Sequence, residues 1–227
     1  MRLVVAALVA LAVVQAAAAA NGEPRKALTA SGNATARSIV LKRADLSPGF
    51  TPHTRPDDDL PAGVRCGALD ESDLTITGEA QSPDFQLAQA GILVTVGSTA
   101  NVYRTLKDAT ASWKRGTSSK TATCFADIVR LGAPRGQNVK IVSAKRLSFP
   151  NIAPKTAAFR VVATLTVSGN QRVRAYIDAI ILQNGRVQSG VVFTSLGRPV
   201  GQADEAGLAG LVARRMAGSR VPKGPTA

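Results

Sequence analysis

Between residues 139 and 196 one pattern recurs four times. A run of about ten residues rich in Val, Ile, Phe and Thr alternates apolar with polar positions and then meets a turn. The runs are Val139–Phe149, Ala157–Val167, Arg172–Leu182 and Arg186–Leu196. Alternation of this kind makes strands with one buried face, and short connections make neighbouring strands antiparallel. Asn184-Gly185 is the strongest hairpin signal in the chain, because a type I′ turn needs positive φ at both central positions. Ser168-Gly169-Asn170 fits a three-residue loop. That loop length sets Arg160 opposite Asp178 and Thr164 opposite Arg174. An even-length loop would mix apolar and charged positions on each face.

The remaining segments are read the same way. Thr35 to Asp45 reads as a short helix with Ile39, Val40 and Ala44 inward, stopped by Ser47-Pro48-Gly49. Residues 51–65 carry three prolines and Asp57-Asp58-Asp59 and read as a long loop. Leu74 to Glu79 and Gln86 to Val96 read as strands. Gly97-Ser98-Thr99 is expected to open a helix whose apolar stripe is Val102, Leu106, Ala109 and Trp113. Cys124 to Leu131 is a shorter helix. Gln202 to Ala217 is the last, with Asp204 and Glu205 near its start and Arg214 and Arg215 near its end, as the helix dipole favours. The expected fold is α+β: one domain over residues 35–218, with a mainly antiparallel sheet of about five to six strands packed with helices. Residues 21–34 are expected to be a flexible lead-in, and 219–227 a disordered basic tail.

Residues 1–20 read as a secretory signal peptide. Arg2 supplies the charge, Leu3 to Val14 the apolar core and Ala18-Ala19-Ala20 the exit before Asn21. The rival reading is an uncleaved membrane anchor. Cys66 and Cys124 are the only cysteines, and export favours a bridge between them over two buried free thiols. The expected location is therefore outside the cell or in its envelope.

The residue inventory excludes much chemistry. One His and two Cys cannot build a zinc site of these ligands alone. There is no phosphate-binding or dinucleotide glycine motif, so no cofactor and no metal is expected. His53 lies between Pro52 and Pro56 without a nucleophile elbow, and no catalytic residue is assigned. Asp57, Asp58, Asp59, Asp70, Glu71 and Asp73 crowd together, but without EF-hand spacing they read as an exposed acidic loop rather than a calcium site. Lys and Arg number 28 against 15 Asp and Glu, a net charge of +13. With aromatics at 4% there is little for bases to stack on, so no nucleic-acid partner is expected. For an exported chain the nearer polyanions are wall polymers and lipid headgroups, although scattered basic pairs are equally a solvated surface. Arg160, Thr164, Arg174, Tyr176 and Asp178 share one sheet face and are the candidate ligand cleft; the alternative is a hairpin salt bridge with neighbours.

Several short motifs in this order resemble a known group. They are Ala44-Asp45-Leu46-Ser47-Pro48-Gly49-Phe50, then Cys66, then Asp73-Leu74-Thr75-Ile76-Thr77-Gly78-Glu79-Ala80, the Ala100 to Lys114 segment with Trp113, and Cys124. The chain resembles the extracellular sensor domain of mycobacterial Ser/Thr kinase H (PknH-like) and is similar, more distantly, to the PsbP-like sandwich shared with LpqN lipoproteins. Such sensor domains have two disulfides, and this chain can form one. The resemblance implies a secreted, non-catalytic domain with a cleft for an unidentified ligand, and transfers no binding residue. The expected function is thus an envelope-associated, monomeric binding or sensor-like module for a small molecule or envelope polyanion, touching a membrane only through an uncleaved signal segment. The alternatives are a secreted hydrolase using carboxylates or His53, and a structural envelope protein acting through charge.

Overall fold

The computed structural model describes residues 22–54, 66–89, 91–133, 138–167 and 171–219. In chain order the elements are β1 (Arg25–Lys26), α1 (Ala30–Ile39), β2 (Thr51–His53), β3 (Thr75–Gln81), β4 (Asp84–Gln89), β5 (Ile92–Tyr103), α2 (Leu106–Gly116), α3 (Thr121–Leu131), β6 (Asn138–Leu147), β7 (Lys155–Val167), β8 (Gln171–Asn184), β9 (Val187–Leu196) and α4 (Gln202–Gly218). Nine strands form one sheet in the order β1-β3-β5-β9-β8-β7-β6, with β4 on β5 and β2 on β4. Only β1 on β3 is parallel. This is the α+β fold expected, with more strands because β1 and β2 are two and three residues long and carry no periodic signal.

The sheet is covered on both faces. α1 and α4 pack on one side, where Ile39, Leu41, Phe85, Val96, Leu182 and Phe193 are buried. α2 and α3 pack on the other, where Phe125 meets Phe159 edge-on at 5.6 Å. Each large side chain sealed this way contributes about 1.5–3 kcal/mol. The expected register is observed: Arg160 stands opposite Asp178 and Thr164 opposite Arg174. The loop of residues 168–170 lies outside the described residues. At the next hairpin Asn184 pairs with Val187, so the two-residue turn is Gly185-Arg186, with Gly185 at φ 57°. The turn centre is one residue later than expected because Asn184 still belongs to the ladder.

Four further expectations are corrected. Residues 21–34 are not a loose lead-in: Arg25–Lys26 pairs with β3, and α1 begins at Ala30. Thr29 caps α1 by accepting from the Gly32 N–H at 3.0 Å. The first helix therefore ends at Ile39, and Arg43–Asp45 is a separate 3-10 turn. Gln86 to Val96 is two strands, β4 and β5, hinged at Gly91 (φ 78°). Residues 97–103 extend β5 rather than opening a helix, because β9 offers them a continuous ladder. α2 instead starts after Thr105, whose hydroxyl accepts from the Asp108 N–H.

α1 meets β3 backbone to backbone. A Cβ on Gly32 would stand 2.1 Å from the Thr77 carbonyl oxygen, and one on Gly78 2.1 Å from the Gly32 carbonyl carbon. Only glycine permits that approach. The Asn33 side chain seals it by accepting from the Glu79 N–H at 3.1 Å.

Candidate functional site

α4 has two working stripes. Glu205, Ala209, Val212, Ala213 and Met216 are buried against the sheet and α1. The adjacent stripe, Ala203, Asp204, Gly207, Leu208 and Leu211, faces a cleft of about 990 Å³. The floor of the cleft is Val94, Val96 and Phe193, and its far wall includes Leu46, Phe50 and Leu87. The volume is in the range of small-molecule sites. A Cβ on Gly207 would meet nothing within 4 Å, so the cleft is open where the helix is thinnest. The rim is polar: Ser47, Gln89, Arg198 and Asp204 are exposed there, and Asp45 is half-buried.

One charged clasp holds α4 as the wall of this cleft, and a second ion pair lies in the sheet beneath its first turns. At its C-terminal end Arg215 grips Asp45 with two bonds of 2.7 Å and also donates to the Val40 carbonyl at 3.0 Å. Burial pushes the Asp45 carboxyl up, but the Arg215 bond and the Lys42 N–H together hold it below its usual range. Near the N-terminal end Arg160 binds Asp178 through two bonds, Nε at 2.5 Å and Nη2 at 2.8 Å. Glu205 lies alongside, fully buried, with Oε1 3.7 Å from the Arg160 guanidinium and neither oxygen hydrogen-bonded. Burial first, and the neighbouring Asp178 carboxylate second, push Glu205 up to about 8. Two buried acids share one guanidinium, which favours the protonated form of Glu205.

A smaller cavity of about 110 Å³ lies on the opposite face, beneath Leu69 and Phe125. Glu71 reaches it, and its carboxylate accepts from the Tyr103 hydroxyl at 2.9 Å and from Ser112. Burial raises the Glu71 carboxyl, partly offset by those bonds. Cys66 and Cys124 are bridged, with Cα atoms 5.7 Å apart. The bridge ties the 3-10 turn Gly67–Leu69 to α3 above this cavity. Nearby, Arg115 holds the exposed Asp73 down to about 2 through paired hydrogen bonds.

The five sequence candidates fall on the α4 face of β7 and β8. Arg160 and Asp178 form the clasp under α4, Tyr176 is half-buried, and Thr164 and Arg174 lie toward the sheet end, Arg174 exposed. The two cavities are lined by other residues. His53 is exposed on β2, its ring nitrogen 3.1 Å from the Thr51 hydroxyl. Asp57, Asp58 and Asp59 lie outside the described residues, as do the leader 1–20 and the tail from 220. Among the described residues no group of three or more His, Cys, Asp or Glu is placed to hold a metal. The sequence did carry a sign of the cleft: Gly207 sits inside a helix, where glycine costs about 1 kcal/mol and needs a reason.

No family model matches the chain, and no curated protein matches it. Among solved structures the chain is similar to LpqN, described as involved in cell envelope biogenesis of Mycobacterium tuberculosis, at 6% identity over 77% of this chain and 86% of that one, with a TM-score of 0.33.

Proposed function

We propose that this protein is an exported, non-catalytic binding module that holds an amphiphilic small molecule, with the apolar part in the cleft under α4 and an anionic head at Arg198. The observation that carries this reading is the cleft itself. Its walls are aliphatic and aromatic, and its polar groups are confined to the rim, the distribution that orients an amphiphile. Asp45 on that rim is neutralised by Arg215, whereas Arg198 is exposed and forms no ion pair among the described residues. The setting outside the cytosol is supported by the Cys66–Cys124 bridge, which persists in oxidising compartments, and by the apolar leader.

The test fills the cleft without touching the core. Gly207→Leu places a branched side chain into open space and improves helix propensity. With 11-dansylaminoundecanoate as the fluorescent probe, the wild type is expected to bind and Gly207→Leu to bind at least tenfold more weakly without a lower Tm. Equal binding by the two proteins, or none by the wild type, refutes the reading.

A further inference from the structure

The cleft lining reaches one end of the sheet at Ile92 and Arg198, and that end is basic. The row Leu93, Leu196, Ala175, Ala163, Ile141 crosses five strands in register. The next row outward holds Ile92 of the cleft lining, Arg174, Thr164 and Lys140. The Gly197 N–H bonds to the Arg174 carbonyl at 2.8 Å and leads directly into Arg198 on the cleft rim. Two rows further out, Arg172 stands opposite Thr166.

All these side chains share one face. Arg172 and Arg174 lie an even number of residues from Asp178, Thr164 lies so from Arg160, and Lys140 is opposite Thr164; residues two apart on a strand point the same way. At ordinary sheet spacings Lys140 and Arg174 are about 10 Å apart, and Arg172 and Arg174 about 7 Å. Lys140, Arg172, Arg174 and Arg198 are exposed. Among the described residues none of the four forms an ion pair. The acids that line the cleft with Arg198 are Asp45, already paired, and Asp204 in the first turn of α4.

We propose that this end of the α4 face is a docking surface for an anionic lipid bilayer, which seats Lys140, Arg172, Arg174 and Arg198 on lipid phosphates and presents the cleft mouth to the membrane. The inference rests on the amphiphile reading, because it is the cleft beside the patch that selects a lipid surface over a soluble polyanion. A flat patch of long basic side chains gains from many phosphates at once, each cation acting within a Debye length of the surface.

The experiment is co-sedimentation of the protein, as its host exports it, with phosphatidylcholine vesicles and with vesicles containing phosphatidylglycerol. Lys140→Glu/Arg172→Glu/Arg174→Glu is compared with Lys107→Glu/Lys114→Glu/Lys120→Glu. The second variant makes the same charge change on exposed positions of and after α2, on the opposite face. The wild type is expected to bind only the anionic vesicles and to be released by high salt. The control variant is expected to lose little. The patch variant is expected to lose at least about 100-fold in partitioning, with its circular dichroism unchanged. Equal losses in the two variants would reduce the effect to net charge and overturn the proposal. So would binding to neutral vesicles, or binding of soluble polyphosphate with none to anionic vesicles. Gly207→Leu separates the two readings: it is expected to keep vesicle binding while losing the dansyl probe, and loss of vesicle binding in that variant also counts against the docking surface.

Discussion

Glu205 gives the sharpest stability prediction. It is fully buried, neither oxygen is hydrogen-bonded, and its proton is held to about 8 against an ordinary value of 4.5. Between those two pH values the folded protein carries a proton that the unfolded chain has lost. Stability contributed here is therefore present below the unfolded value and falls as pH rises toward 8. Each unit of the gap is worth about 1.4 kcal/mol, so the ceiling is about 5 kcal/mol. Movement of Arg160 and water entry on ionisation lower the working figure to about 2–4 kcal/mol. Glu205→Gln removes the titration and keeps the shape, and its amide can donate to Asp178. Urea unfolding of both proteins at pH 5.0, 6.5 and 8.0 with the disulfide intact reads the effect. The two are expected to be within about 1 kcal/mol at pH 5 and to diverge steadily, with Glu205→Gln the more stable by about 2–4 kcal/mol at pH 8. Glu71 and the surface acids titrate in both proteins and cancel in the difference. Parallel stability curves, or a less stable Gln variant at pH 8, would refute the argument that two buried acids share one guanidinium.

Two further outcomes follow from packing. Replacing Cys66 and Cys124 together by Ser reopens a loop of 58 residues and is expected to cost about 4 kcal/mol in urea unfolding; no change would mean the unfolded chain is already constrained there. Gly78→Ala drives a methyl into the α1 backbone and is expected to lower stability by about 1–3 kcal/mol, whereas Gly185→Ala, with open space around it, pays only for its positive φ.

What was legible in the sequence was what a period or a local residue could encode. The β7–β8 register followed from charge alternation around a three-residue loop, and the pairing of the two cysteines had a single solution. The extension of β5 was not legible. Val102 belongs to both an alternating run and the helical stripe through Leu106 and Ala109, and only pairing with β3 on one side and with β9, some 90 residues later, on the other decides between them. β1 and β2 are too short to show a period and exist because β3 and β4 offer unpaired edges. The candidate residues Arg160 and Asp178 were correctly brought together, but chain alternation cannot say which helix covers a sheet face. It could not reveal that α4 would lie over them with Glu205 inserted, nor that the open cleft would form beside the clasp.

The two walls of that cleft come from distant parts of the chain. Asp45 and Arg215, the clasp that fixes its width, are 170 residues apart. No cleft exists until α4, the last element of the chain, has been made and has docked on the sheet. Every shorter intermediate leaves the apolar floor of Val94, Val96 and Phe193 uncovered. A chain cut before residue 201 would lack one wall of the cleft and leave an apolar sheet face in its place.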